Sequence, residues 1–320
     1  MDPKKRPTVA SPLWLAPLLL SSIACQTSIH GSVDTYQPTG YEVAVNNWGD
    51  LAERGDAPAQ NIMGSTHFRG IGTEKNFQKA ADWYEKAAQQ GHAVGQYRLG
   101  MMYRDGLGVS QDSEESVAWL SRAADQELAP AQFALAFMYL NGDGVYLDQS
   151  IGAEWMRAAA RQGMPEAQAQ LGLLYTFAQG VPHDDVKAAR WYQRSAIQGY
   201  APAQFSFGVM LMRGQGITKD DAAAAHWLRQ AADQGIAASY SKIGLLYELG
   251  RGVIEDPITA CMYYIVGENL GHKPCIDQSR RIQRQMAEYE VRISNKLAEE
   301  WMLNHGQSSS LTSNASYEVQ

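Results

Sequence analysis

A tryptophan recurs along this chain at intervals of 36 residues, and this period constrains the fold more than any other feature. The column runs through Trp83, Trp119, Trp155, Trp191 and Trp227, and Tyr263 occupies the sixth position. Six copies of the surrounding segment begin at Ala57, Ala93, Ala129, Pro165, Ala201 and Ala237, and the last copy ends at His272. A fixed period of this length predicts a solenoid, in which each repeat buries its apolar face by stacking on its neighbours.

Each repeat is predicted to fold as two helices, A and B, joined by a glycine-rich corner. Helix A carries a bulky core position followed directly by a small residue on the same face. The core position is filled by Met63, Leu99, Leu135, Leu171, Phe207 and Ile243. The corner ends in a glycine found in every copy, at Gly72, Gly108, Gly144, Gly180, Gly216 and Gly252. Such a glycine indicates a positive φ angle. The predicted N-caps of helix B are Asn76, Asp112, Asp148, Asp184, Asp220 and Asp256.

The copies share the pattern L-G-x-M/L-Y-x-x-G-x-G-V-x-x-D, followed by A-x-x-W-Y/L-x-x-A-A-x-Q-G. This pattern resembles the Sel-one-like repeat, a relative of the tetratricopeptide repeat, over residues 57–272. The resemblance implies an all-α, right-handed superhelical solenoid of helix-turn-helix repeats. It also implies a non-enzymatic role in binding another protein or peptide, because binding other proteins is the common feature of this family.

The first 25 residues are predicted to be a signal peptide, because a basic start precedes an apolar run that is too short to span a bilayer. The run ends at Cys25 in a sequence that resembles the lipobox of bacterial lipoproteins, although Ser22 stands where Leu, Val or Ile is usual. This resemblance implies lipidation of Cys25 and a location in the periplasm. The residue after the cysteine is Gln26, not the Asp that retains lipoproteins in the inner membrane, so the resemblance implies attachment to the outer membrane. The alternative is ordinary signal peptidase cleavage beside an incidental cysteine.

The remaining segments outside the repeats are predicted to be a linker, two caps and a tail. Residues 26–40 are polar without a periodic apolar face, which is typical of a linker. Residues 41–56 match helix B without a partner, and residues 273–305 carry an apolar stripe, so both are predicted to cap the solenoid as helices. The stripe consists of Ile282, Met286, Tyr289, Ile293, Leu297 and Trp301, and we expect it to pack on the last repeat. Residues 306–320 are predicted to be disordered.

Charge and histidine spacing argue against two classes of ligand. The net charge is −7, and the basic first 25 residues leave −9 on the remainder, the wrong sign for binding a phosphate backbone. The seven histidines lie in no metal-binding motif. We therefore expect no nucleic acid partner, no metal and no cofactor.

Four residues near the end of the array bear on enzymatic and redox chemistry. Ser239 and Lys242 match the S-x-x-K motif of penicillin-recognising enzymes, but no S-D-N or K-T-G motif follows. Ser239 also occupies a column of small residues. Cys261 and Cys275 lie fourteen residues apart, and a helix after Cys261 would separate their α-carbons too far for a disulfide. We expect two free, buried thiols.

One wall of the solenoid is predicted to bind the partner. In the tetratricopeptide arrangement, helix A lines the concave face, and the positions two before and two after the core position point inward. The candidate partner-binding residues at these positions and one turn beyond are Tyr97, Met101, Phe133, Phe137, Leu173, Phe177, Phe205, Val209 and Leu245. An exposed apolar stripe of this kind favours an interaction site. The alternative is that these side chains pack between neighbouring A helices and are buried.

The first functional hypothesis is therefore a non-enzymatic interaction scaffold of the bacterial cell envelope, with the membrane reached only through the lipid anchor. Resemblance to exported members of the family implies two roles, an immunity protein that neutralises a periplasm-acting toxin or a component of an envelope assembly. A penicillin-recognising enzyme using Ser239 and Lys242 is the rival from another class. An endoplasmic-reticulum protein is a third reading, disfavoured by the lipobox-like end and by a lone glycosylation sequon at Asn314.

Overall fold

The computed structural model describes residues 48–305. The predicted signal peptide with Cys25, the linker, residues 41–47 of the N-terminal cap and the tail with its sequon lie outside the described residues. Within residues 48–305 every regular element is a helix, as the repeat pattern predicts.

Fifteen helices follow one another through the described residues. Residues 48–53 are helical and form α1. The six helix pairs are α2 (Ala57–Arg69) with α3 (Phe77–Gln89), α4 (Ala93–Asp105) with α5 (Ser113–Asp125), α6 (Ala129–Asn141) with α7 (Gln149–Arg161), α8 (Pro165–Phe177) with α9 (Asp185–Ile197), α10 (Ala201–Arg213) with α11 (Asp221–Asp233), and α12 (Ala237–Glu248) with α13 (Pro257–Asn269). Two further helices follow, α14 (Lys273–Gln283) and α15 (Glu288–Asn304). Each A helix packs on its own B helix and, from repeat 2 onward, on the B helix of the preceding repeat.

The small column of helix A lets the two helices of a repeat approach closely. A Cβ atom added at Gly100 would lie 2.9 Å from Leu120 Cγ, and one added at Gly208 would lie 2.8 Å from Leu228 Cγ. The helix B residue at this contact is the one after the tryptophan, and it is buried in all six repeats. These residues are Tyr84, Leu120, Met156, Tyr192, Leu228 and Tyr264. The five tryptophans themselves are only half-buried, so the column that reveals the period is not the centre of the core.

Two physical requirements explain why the corner position is glycine in all six repeats. Its φ angle is positive in every repeat, as predicted, for example 72° at Gly108 and 70° at Gly144. A Cβ atom at Gly108 would also overlap the backbone carbonyl of Phe77, the first residue of the preceding B helix. The corner of one repeat therefore rests directly on the backbone of the previous one, which only glycine permits.

The predicted N-caps of helix B are confirmed. Asn76 and the five aspartates at its position each accept a hydrogen bond from a backbone N–H in the first turn of the helix that follows. Asp148, for example, accepts from Ser150 N at 2.9 Å and from Ile151 N at 3.0 Å. A cap of this type typically stabilises a helix by about 1 kcal/mol, and here it fixes where every B helix begins.

A ladder of glutamines ties successive repeats together. In repeat 3 the buried Gln132 donates to the carbonyl of Ala124 in the preceding B helix at 3.2 Å. Its Oε1 accepts from Gln162, at the end of its own B helix, at 2.8 Å. The same two bonds recur in repeats 1, 2, 4 and 5. In repeat 6 Tyr240 replaces the inner glutamine, and its hydroxyl donates to Ala232 O at 2.7 Å.

The N-terminal helix α1 takes the place of a B helix before repeat 1. Gln60 donates to Ala52 O at 3.1 Å, which is the bond that Gln96 makes to Ala88 O one repeat later. Ala52 is buried, and Gly55 has the positive φ of 96° that ends the B helices.

The predicted packing of the C-terminal apolar stripe is wrong in part. Ile282 is buried, but Tyr289, Ile293 and Leu297 are 58%, 43% and 37% exposed. Helix α15 instead buries the face one position further on, which consists of Ser294, Ala298 and Met302. The reason is steric: small residues at two of these three positions allow α15 to lie close against α13, and Ser294 Oγ donates to the carbonyl of Ile258 at 3.1 Å.

In residues 48–305 no helix has the length and apolar character needed to cross a membrane.

Candidate partner-binding groove

The apolar stripe, defined here as Met101, Phe137, Leu173, Val209 and Leu245, occupies one face of five successive A helices. Each residue follows the core position of its helix by two, which is a rotation of about 200°. The core residue faces helix B, so the stripe faces away from it. All five side chains are half-buried. The first repeat has Ser65 at this position.

Three of the nine predicted residues do not lie at the surface. Tyr97, Phe133 and Phe205 are buried, with 7%, 4% and 8% of their surface exposed. Each precedes a stripe residue by one helical turn and belongs to the hydrophobic core. For these three residues the alternative prediction, burial by packing, is therefore the correct one. Phe133 contacts Phe137 edge to face, with ring centroids 5.0 Å apart. The buried ring therefore supports the half-exposed one.

Phe177 is the most exposed apolar residue of the predicted set, at 42%. It follows Leu173 by four residues at the end of α8, so the two side chains share a face. Leu249 is 51% exposed in the corresponding place after Leu245. The stripe thus widens at repeats 4 and 6.

Basic side chains accompany the C-terminal half of the stripe. Lys242 precedes Leu245 by three residues and is half-buried. Its own burial and, less strongly, the nearby charge of Arg213 lower the pKa of Lys242. Neither residue forms an ion pair within residues 48–305. This end of the stripe therefore carries positive charge in a protein whose net charge is −7.

Ser239 is not accessible to a substrate. It is fully buried, at 0% exposure, in the column that Ala131, Ala167 and Ala203 occupy in other repeats. Its Oγ has no hydrogen-bond partner in the described part of the chain. A nucleophilic serine needs both a general base and an open approach, so the S-x-x-K match is a packing feature.

The two described cysteines are free and buried, as predicted. Burial raises the pKa of Cys261, and it raises the pKa of Cys275 to about 12.

The structure gives one histidine a structural role that the sequence did not indicate. His92 caps α4 by accepting from Gly95 N at Nδ1, 3.0 Å away, and burial lowers its pKa. Among residues 48–305 no three His, Cys, Asp or Glu side chains are grouped to hold a metal ion.

Comparison with known proteins supports the repeat assignment. The family model described as Sel1 repeat matches six consecutive segments, residues 57–92, 93–128, 129–164, 165–200, 201–236 and 237–272. No curated protein sequence matches the chain.

Two solved structures share the same architecture. A Sel1 repeat protein from Oxalobacter formigenes is 30% identical and superposes with a TM-score of 0.62, covering 71% of this chain and 91% of its own. The protein c5321, described as a protective antigen present in uropathogenic Escherichia coli strains, is 25% identical with a TM-score of 0.58, covering 88% of this chain and 69% of its own. The immunity protein Pa5087 from Pseudomonas aeruginosa is 18% identical, covers 75% of this chain and 86% of its own, and has a TM-score of 0.38, too low to bear on function.

The six matched segments coincide with the six helix pairs and with the boundaries drawn from the tryptophan period. Proteins built from this repeat generally serve as interaction scaffolds. The chain belongs to the Sel1 repeat family.

Proposed function

We propose that this protein is a non-enzymatic scaffold that holds a partner protein or peptide against the apolar stripe. One observation carries the proposal: five successive A helices present a half-buried apolar side chain at the same position. A row of partly exposed apolar side chains on successive helices is typical of an interaction surface. The buried ring of Phe133 supports one member of the stripe, Phe137.

The chemistry of the stripe and its surroundings favours a particular kind of partner segment. The stripe offers apolar contacts spaced by one repeat, and Arg213 with Lys242 adds positive charge near repeats 5 and 6. A segment with several apolar side chains and an acidic group at one end would match both features. Such a segment lies along the A helices and meets Phe177 near the middle of the array.

Site-specific photo-crosslinking in living cells tests this proposal. We would place a photoreactive amino acid at Phe177, and as a control at Ile197, which is exposed on α9 of the same repeat. We expect the probe at position 177 to crosslink one discrete partner protein and the probe at position 197 to crosslink none. The same partner from both positions, or a partner from Ile197 alone, would contradict it. A captured toxin would identify an immunity role, and a captured envelope component would identify an assembly role.

We further propose that the protein is exported and anchored to the outer membrane through lipidated Cys25. The support is the sequence of the first 25 residues alone. Metabolic labelling with an alkyne fatty acid should mark the wild type and the Cys261→Ala variant, but not Cys25→Ala. The Cys25→Ala protein should move from the membrane fraction to the soluble periplasm. An unlabelled wild type would support ordinary signal peptidase cleavage instead.

A further inference from the structure

The C-terminal helices leave a cleft where a seventh repeat would have its core. Helix α14 begins at Lys273, 36 residues after Ala237, and so continues the register of the A helices. Helix α15 does not act as its B helix. Both helices pack on α13 instead, and no comparable contact joins α14 to α15 within the described residues.

The face of α14 that lines this cleft carries polar side chains at the positions where the A helices of the repeats carry core residues. The core position of the A helices is occupied by Ser279, the small column by Arg280, and the next turn by Gln283. In repeat 6 the same three positions hold Ile243, Gly244 and Tyr247. A face of this composition cannot pack a helix as the repeats do, because buried polar groups need partners.

The cleft is large enough for a small molecule. Its volume is about 370 Å³, within the range of about 300–1,000 Å³ that small-molecule sites occupy. Ile265 from α13 and Ala298 from α15 provide apolar surface. Ser279 is buried and donates to Glu268 Oε2 at 2.5 Å, which fixes that carboxylate at the wall.

Charges of both signs line the cleft without neutralising one another. Glu268, Glu299 and Arg280 all lie at its wall. None of the three takes part in an ion pair within residues 48–305. Gln283 and Asn295 add amide groups that both donate and accept hydrogen bonds.

We propose that this cleft binds a small zwitterionic ligand, of a size between a free amino acid and a tripeptide. The ligand's ammonium group would meet the carboxylates of Glu268 and Glu299, and its carboxylate would meet the guanidinium of Arg280. Charge-assisted hydrogen bonds of this type are the strong ones in a partly enclosed site. The amides of Gln283 and Asn295 suit the polar backbone between the two charged ends.

Isothermal titration calorimetry with tri-L-alanine tests the proposal on the mature protein. We expect a dissociation constant below about 1 mM, and no binding of the same peptide with acetylated and amidated ends. Glu299→Gln and Arg280→Met should each weaken binding at least about tenfold. Glu300→Gln and Arg284→Met, which make the same changes at exposed positions nearby, should bind like the wild type.

Three results would overturn the proposal. They are no heat of binding at about ten times the expected dissociation constant, equal binding of the blocked peptide, or equal affinity in the cleft variants and their controls. Either of the first two would mean that the cleft is only the polar end that a solenoid needs for solubility. Thermal unfolding of each variant checks that the fold is kept, and since both substituted side chains are exposed, we expect no loss.

Discussion

At the scale of single residues, two positions depart from the glycine that their repeat position favours. Ala178 has a φ angle of 55°, where five other repeats have glycine at the first corner position. Glu127 has a φ angle of 61°, where the other repeats have glycine after helix B. The left-handed region costs a residue with a Cβ atom about 1–2 kcal/mol. The repeat geometry therefore overrides the local preference at both sites.

Replacing either residue by glycine should stabilise the protein. We expect Ala178→Gly and Glu127→Gly each to raise the free energy of unfolding by about 1 kcal/mol, because the backbone strain disappears. Urea unfolding followed by circular dichroism measures the change. Gly163→Ala is the matched control, since Gly163 has a φ angle of 95° with no atom within 4 Å of an added Cβ, and it should destabilise. A fall in stability with glycine at position 178 would contradict the strain argument.

At the scale of helices, periodic features could be predicted and departures from the period could not. The core column, the corner glycines and the N-caps recur six times, so the sequence alone placed them. The exposed face of α15 was missed because α15 breaks the register, and nothing in the sequence signals that Ser294 and Ala298 form its buried face. Likewise, the sequence could not tell that Phe133 is fully buried while Phe137, four residues later on the same face, is only half-buried.

The glutamine ladder was missed although its signal was present. Gln132 and Gln162 belong to two columns that recur every 36 residues in five repeats, as regularly as the tryptophans. A polar residue that recurs at a helix face next to alanine indicates a buried hydrogen bond, because an exposed position would tolerate substitution from copy to copy.

Breaking one rung of this ladder should destabilise the protein. Gln132→Leu removes the side-chain donor to Ala124 O, which keeps only backbone N–H donors, and it removes the acceptor for the amide of Gln162, so two hydrogen bonds are lost. We expect a loss of about 1–3 kcal/mol in the free energy of unfolding. Gln193→Leu makes the same change at an exposed position of α9 and should alter stability by less than about 0.5 kcal/mol. If the two substitutions lowered the free energy of unfolding equally, the glutamine hydrogen bonds would not contribute to the stability of the repeat array.

At the scale of the whole molecule, buried titratable groups limit the pH range of stability. Burial raises the pKa of Tyr192 and of Cys275 to about 12. The unfolded chain therefore loses these protons at lower pH than the folded protein, and stability falls as the pH rises above about 9. Burial lowers the pKa of His67, His92 and His272. The unfolded chain takes up these protons first, so stability also falls as the pH drops through about 6.5.

Urea unfolding midpoints across the pH range should therefore be highest between about pH 7 and 9. Tyr192→Phe should flatten the decline between about pH 10 and 12, because the group that titrates only on unfolding is gone. Tyr146→Phe, at a tyrosine that is 97% exposed, should leave the decline unchanged. A midpoint that stays constant from about pH 9 to 12 would contradict the assignment of burial as the cause.

If the apolar stripe of the solenoid binds the partner, charges placed on the stripe should weaken binding, and paired variants measure this effect. Leu173→Arg with Phe177→Arg places two charges on the stripe at repeat 4. Val186→Arg with Ile197→Arg adds the same charge to exposed apolar positions on α9 of that repeat. With the crosslinked partner in purified form, we expect at least about a hundredfold weaker binding for the stripe variant and unchanged binding for the control, with both variants folded. Equal affinities for the two would place the partner elsewhere and leave the stripe as packing between repeats.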